Sequence, residues 1–304
     1  VAGILAGKNI AVTGGGNGIG RAVALAAADA GANVVVADYG VSMDGSDPTS
    51  EVADAVVAEI KGKGVDAVAV AGDVSEMATG EQIVQAAVSN WGSIDGVVCV
   101  AGILRERMLF NMSEDEWDAV IRVHLKGTFT VFRAAMAVMR KQETGGSLVS
   151  FTSGAFMGST AQANYAAAKG GIVSLTKSAA MTGASLALRG GAMINANCIA
   201  PVAKTRMSEN VPFGFETGEP EDIAPMVCYL LSDPGRAVNG QIYTVVGRRV
   251  SVWSQPGEIR SMWAPGDRWT PEEIAERLPN SVKSEPHPFI LDLERRMAEM
   301  KQQG

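Results

Sequence analysis

The stretch KNIAVTGGGNGIG, residues 8–20, decides the fold. Lys8 to Thr13 is an apolar run of strand length, and five of the next seven residues are glycine. A helix-like stretch follows from Gly18 to Ala30. Glycines at such a junction allow a tight turn and let backbone approach a pyrophosphate closely. The first N–H groups of the next helix then face its negative charge. Thr13, Gly14, Asn17, Gly18, Ile19 and Gly20 are therefore candidate cofactor-binding residues.

Beyond the loop, strand-length and helix-length segments alternate. Strands are expected at 8–13, 32–38, 65–73, 94–102, 145–153, 192–200 and 240–247, and helices at 18–30, 51–61, 76–91, 162–189 and 219–231. Ser113 and Glu116 have capping-box spacing ahead of one long helix ending near Lys141. Strands apolar on both faces and separated by helices imply a parallel sheet covered on both sides. The reading is an α/β, doubly wound, seven-stranded domain over 1–247, dinucleotide-binding and catalytic. Residues 248–304 form a C-terminal extension with Trp253, Trp263 and Trp269. The tryptophans favour docking on the domain or on a neighbouring subunit over a disordered tail. Residues 39–50 make an unusually long polar loop.

Composition narrows the function. The chain has 304 residues, 47% of them hydrophobic, with 26 basic and 33 acidic side chains and a formal charge of −7. That balance argues against a general nucleic-acid surface, whose affinity comes from neutralising phosphates. Cys99, Cys198 and Cys228 lie in apolar surroundings without CxxC spacing. They read as reduced core residues, with neither disulfide framework nor metal site. No apolar run reaches the roughly 18 residues of a membrane span. The start lacks the basic region of a signal peptide and the KQQG end is no targeting tripeptide, so a cytoplasmic location is expected.

Two further features carry chemistry. Asp38 ends the second strand, eighteen residues after Gly20. A carboxylate there accepts from ribose hydroxyls and repels the extra phosphate of NADP, which points to NAD. Asp73 ends the third strand and is either an adenine contact or an ordinary loop aspartate. YAAAK, residues 165–169, sets Tyr165 and Lys169 on one helical face. A tyrosine of ordinary pKa, about 10, is a poor base, and a nearby ammonium favours its phenolate.

In this order the motifs resemble the short-chain dehydrogenase/reductase family. The resemblance rests on Thr13, Gly14, Gly18 and Gly20, on Asp38, on Asp73–Val74, on Ala101–Gly102, on a hydroxyl before the YxxxK of Tyr165 and Lys169, and on Pro201. It implies a Rossmann-type fold with Tyr165 as general acid/base. Lys169 would hold the ribose hydroxyls, and a serine or threonine would orient the substrate oxygen. Three departures stand out. Cys99 and Val100 replace the family's two asparagines, and Val202 replaces a common glycine. The family's hydroxyl falls thirteen residues before the tyrosine, at Thr152, whereas side-chain size and family habit favour Ser153.

Longer stretches, among them residues 101–129, QANYAAAK (162–169), IAPVAKTRM (199–207) and residues 259–279, resemble the dehydrogenase part of peroxisomal multifunctional enzyme type 2 and its bacterial relatives. That branch implies NAD-dependent oxidation of a (3R)-hydroxyacyl-CoA, with 17β-hydroxysteroids as alternative substrates, and a homodimer or homotetramer. Fatty acid or steroid metabolism would be the setting. A 3-oxoacyl carrier-protein reductase and a non-catalytic NAD-binding module are the competing readings. Asp38 argues against the first, and intact Tyr165 and Lys169 against the second. Arg105, Arg107, Lys204 and Arg206 are candidates for the CoA phosphates. Met108, Leu109, Phe156, Met157, Val211, Phe213 and Phe215 are candidates for an apolar groove. His124 stands where the wider family has an asparagine. It is either a proton-relay residue, able to titrate near neutrality, or a satisfied core histidine.

Overall fold

A computed structural model of the chain describes residues 3–40, 51–204, 217–282 and 288–303. Strands β1 (Asn9–Thr13), β2 (Asn33–Ala37), β3 (Ala67–Val70), β4 (Gly96–Cys99), β5 (Gly146–Phe151), β6 (Ile194–Pro201) and β7 (Ile242–Val246) run parallel. Their order, β3-β2-β1-β4-β5-β6-β7, makes the chain step outward from β1 to β3 and then cross back to β4. Sheets of this kind bind ligands at that reversal, beyond the carboxyl ends of the strands.

Alternation along each strand feeds two cores. Ile10, Val12, Val34, Val36 and Val98 pack with residues of α1 (Gly18–Asp29), α2 (Glu51–Lys61) and α7 (Pro220–Leu231). Ala11, Val35 and Val97 pack on the other face with residues of α3 (Met77–Trp91), α5 (Gly127–Met139) and α6 (Ala163–Leu188). Successive strand residues point to opposite faces, so a sheet buried on both sides needs apolar side chains throughout. Burying one such valine contributes about 1.5–3 kcal/mol relative to exposure. The three cysteines belong to this interior, buried and unpaired. Burial pushes the Cys198 and Cys228 thiols each up to about 11, and Cys99 higher still.

Two expectations need correction. Beyond Gly247, which has a positive φ of 49°, the chain turns back at once. An eighth strand, β8 (Arg249–Val252), then pairs antiparallel with β7. A two-residue turn with a glycine suits such a hairpin. The first compact unit therefore extends to Trp253, not Gly247, and the second covers Ser254–Gly304. The long helix expected up to Lys141 is also interrupted. A capping box at Ser113 and Glu116 starts α4 (Glu114–Ile121), and a π-helical turn, Arg122–Lys126, separates it from α5. In the second unit, a capping box at Thr270 and Glu273 starts α8 (Pro271–Arg277), and α9 spans Pro288–Gln303. No helix among the described residues is long and apolar enough to cross a membrane.

Candidate active site

The glycine loop folds back on itself beside the end of β4. Gly14 has a φ of 65°, and a Cβ there would lie 2.9 Å from backbone atoms of Ala101. A Cβ on Gly20 would lie 2.0 Å from the Gly14 carbonyl oxygen. The buried Thr13 hydroxyl accepts from the N–H groups of Val100 (3.2 Å) and Ala101 (3.3 Å). The segment in which the family's two asparagines are missing is thus held from β1. Asp38 accepts from Gly16 N–H at 2.8 Å on one oxygen and from Gly40 N–H at 2.7 Å on the other. Each carboxylate oxygen keeps a further lone pair for a ribose hydroxyl.

Asn17 occupies the N-cap of α1 but makes no side-chain cap, and the first turn carries no acidic residue. Helix N-termini without such caps present N–H groups to an anion. Ile19 and Gly20 lie in that same turn. These residues fit the pyrophosphate and adenosine ribose of a dinucleotide. Asp73 is engaged in its own loop, accepting from Ser75 N–H at 2.9 Å and lying 3.7 Å from Arg122 Nη1. The Val74 carbonyl accepts from the Thr130 hydroxyl of α5.

At the start of α6, Tyr165 and Lys169 share a face. The buried Lys169 ammonium lies 5.3 Å from the centroid of the Tyr165 ring and donates to the Phe151 carbonyl at 2.8 Å. Burial lowers its pKa to about 8. Ser153 stands close enough to the Tyr165 phenol to favour its phenolate, and its oxygen accepts from Ala155 N–H at 3.3 Å. Burial raises the Tyr165 phenol above its ordinary value, and the Ser153 hydroxyl opposes that rise. In the free chain the lowering expected from Lys169 gives way to burial.

Thr152 points elsewhere. Its buried hydroxyl donates to the Lys169 carbonyl at 2.9 Å, satisfying a helix oxygen. Residue spacing favours Thr152, yet the hydroxyl beside Tyr165 belongs to Ser153. The reason is local. β5 ends at Phe151, and Ser153 caps a 3-10 turn, Gly154–Met157, instead of continuing the strand.

His124 sits in the π-helical turn, buried, with its ring edge-on to Tyr165 at a centroid distance of 5.2 Å. Its Nε2 lies 2.8 Å from the Ile103 carbonyl oxygen and 3.1 Å from the Ile103 nitrogen. A Cβ on Gly102 would lie 2.1 Å from its ring, so only glycine admits the imidazole there. With Nε2–H donating to Ile103, Nδ1 is an acceptor without a partner among the described residues. Burial, and then the Lys169 charge, lower its pKa to about 3. A lowered histidine pKa keeps the ring neutral above that value, which favours the core histidine over a group that titrates near neutrality. His124→Asn is expected to keep the shape of the pH–rate profile between about pH 5 and 9, since neither side chain changes charge there. Loss of a limb of the profile in steady-state assays would contradict this.

At the sheet edge, Pro201 ends β6, and the next residue, Val202, donates through its N–H to Val245 at 2.9 Å. Two of the proposed CoA-binding cations have carboxylate partners. Arg107 binds Glu116 at 2.9 Å and holds that carboxyl at about 2, and Lys204 lies 3.5 Å from Glu219. The Arg105 carbonyl accepts from Asn164. Met108, Leu109 and Met157 are exposed, as a groove lining requires, while Phe156 packs edge-on against Trp253 at 4.8 Å. Arg206, Val211, Phe213 and Phe215 lie outside the described residues. Sequence reasoning passed over Asn164, which is fully buried beside the tyrosine. The only signal was a polar residue next to YxxxK.

Residues 14–247 match the model of a family described as enoyl-(acyl carrier protein) reductase. The chain is 43% identical to the hydroxyacyl-CoA dehydrogenase ChsB1 of Mycobacterium tuberculosis, over 90% of this chain and 88% of that one. It is 42% identical to the mouse peroxisomal multifunctional enzyme type 2, over 79% of this chain but only 31% of that one. A crystal structure of a short chain dehydrogenase from Mycobacterium avium is similar with a TM-score of 0.80 and 38% identity, over 94% of this chain and 98% of that one.

Proposed function

The chain belongs to the short-chain dehydrogenase/reductase family, and from that premise we propose that it oxidises a (3R)-hydroxyacyl-CoA to the 3-oxoacyl-CoA with NAD. As a member it is an oxidoreductase that uses a nicotinamide cofactor. The observation that carries the finer reading is the 43% identity to a hydroxyacyl-CoA dehydrogenase along nine-tenths of the chain. The match with a multifunctional enzyme covers only its dehydrogenase-sized portion and adds no further activity to this chain.

The bound cofactor supplies the hydride acceptor. The chain's residues manage the proton and the geometry. Ser153 holds the substrate hydroxyl against Tyr165, and the Tyr165 phenolate takes its proton as general base. The Lys169 ammonium binds ribose hydroxyls and stabilises that phenolate, countering the burial that holds the phenol protonated in the free chain. Thr152 fixes Lys169 through the helix backbone and touches no reacting atom. His124, neutral, holds Ile103 and Gly102 in place and offers Nδ1 as an acceptor where the wider family has an asparagine. Asp38 selects NAD, with Ala101, Gly102 and Pro201 lining the nicotinamide end. Exposed Phe129, Met181 and Leu188 on α5 and α6 support self-association as a dimer or tetramer. The location is the cytoplasm.

A reductase of acyl carrier-protein substrates is the second reading, favoured by the description of the matching family model. Steady-state assays separate the two. A (3R)-hydroxyacyl-CoA, its (3S) epimer and a 17β-hydroxysteroid are oxidised with NAD⁺ and NADP⁺ in turn, and a 3-oxoacyl carrier protein is reduced with NADH and NADPH. Preference for the (3R) CoA ester with NAD⁺ supports the proposal. Preference for the carrier protein with NADPH overturns it. In the same assays Asp38→Ala weakens NAD about thirtyfold, from two ribose hydrogen bonds of about 1 kcal/mol each, and narrows its advantage over NADP. An unchanged NAD/NADP ratio would remove Asp38 from cofactor selection.

A further inference from the structure

The first N–H groups of a helix have no intrahelical partner. At α6 the side chain of the N-cap residue Gln162 caps none of them. Asn164 caps one from inside the helix. Its Oδ1 accepts from the N–H of Tyr165 at 2.8 Å, and its Nδ2 donates to the carbonyls of Arg105 at 2.9 Å and Glu116 at 2.8 Å. A carboxamide offers one acceptor and two donors in that short reach, and here each is used. The side chain is fully buried.

These partners come from different parts of the chain. Arg105 continues the segment that starts with Ala101 and Gly102 and is fastened to His124 through Ile103. Glu116 lies in the first turn of α4, where it closes the capping box with Ser113 and binds Arg107. Arg107 in turn donates its N–H to the Ala161 carbonyl at 2.8 Å and forms a parallel bridge with Gln162. Ala161 has a φ of 60°, the only positive value at a non-glycine among the described residues. Such a conformation persists where its surroundings over-determine it. The entry to α6 is therefore fixed from the β4 loop and from α4, and Asn164 carries that fixing to the backbone of Tyr165.

We propose that Asn164 is a positioning residue that sets the placement of the Tyr165 phenol relative to Ser153. The proposal rests on Tyr165 being the acid/base of the reaction. If the phenol loses its placement beside Ser153, the hydroxyl's opposition to the burial effect weakens, and the phenolate forms at higher pH.

The test compares Asn164→Ala, which removes all three hydrogen bonds, with Asn164→Ser, whose hydroxyl keeps an acceptor near the Tyr165 N–H. Thermal melting and NAD calorimetry identify the folded, cofactor-competent variants. Asn164→Ala is expected to lower kcat about 10- to 100-fold, the scale of an ångström misplacement, with the KM for NAD unchanged and Asn164→Ser between it and the parent. Phenolate absorbance, taken as the difference from Tyr165→Phe, is expected to titrate at higher pH in the same order. If Asn164→Ala does not fold, Asn164→Ser carries the comparison. Parental kcat and phenolate titration in a folded variant overturn the proposal, and so does a fall in kcat with an unmoved phenolate titration. The phenolate titration needs no substrate. A parent that leaves hydroxyacyl-CoA unoxidised overturns the functional reading alone.

Discussion

Tyr165→Phe is expected to cut kcat by about 10²–10⁴-fold, the range associated with a positioned general base, while NAD still binds. The substitution removes one oxygen from a ring whose packing is otherwise retained. His124 still meets the ring edge-on, and Lys169 keeps its bond to the Phe151 carbonyl. The loss therefore falls on proton transfer. It should appear in kcat with little change in the calorimetric affinity for NAD, because Asp38 and the glycine loop are untouched. Parental turnover by Tyr165→Phe would remove Tyr165 from the chemistry. Loss of NAD binding in parallel with kcat would show a damaged fold instead.

Gly20→Ala is expected to have an effect of similar size by a different route. Its Cβ would stand 2.0 Å from the Gly14 carbonyl oxygen, a backbone atom that no side-chain rotation can move aside. The loop must open, and with it the approach of the α1 N-terminus to a pyrophosphate. A loss of about 100-fold in NAD affinity corresponds to roughly 2.7 kcal/mol. Strain at such a backbone site has a magnitude of about 1–3 kcal/mol, so the melting midpoint should fall as well. Gly257→Ala is the control, since a Cβ there meets nothing within 4 Å. Calorimetry and thermal melting of the two variants check the expectation. Parental NAD affinity in Gly20→Ala would refute the close approach inferred for this turn.

Much of this molecule is legible in its sequence because burial imposes period and composition. Both faces of β1 and β2 must be apolar, and the valine runs say so. The glycine loop is legible because close backbone approaches admit only glycine. What escapes is set by single turns. Gly247 reads as a strand stop, but it opens a two-residue hairpin, and β8 alternates too briefly to announce itself. The helix over 114–139 has unbroken apolar periodicity, which hides the five-residue π turn that presents His124. Thr152 and Ser153 differ by whether β5 continues for two more residues, a question of local hydrogen bonding that residue spacing cannot reach. Asn164 is invisible for another reason. Two of its three partners are backbone carbonyls some 60 and 50 positions away in the chain, and a carbonyl leaves no mark in an amino-acid string.

The three cysteines have a practical consequence. The thiolate is the reactive form of cysteine, and burial holds all three of these groups protonated and enclosed. A thiol reagent therefore meets a silent background. One cysteine introduced on the exposed turn at Leu109–Asn111 becomes the single chemical handle on the protein. A fluorophore attached there reports from the segment that leads into α4 without the need to engineer a cysteine-free chain first.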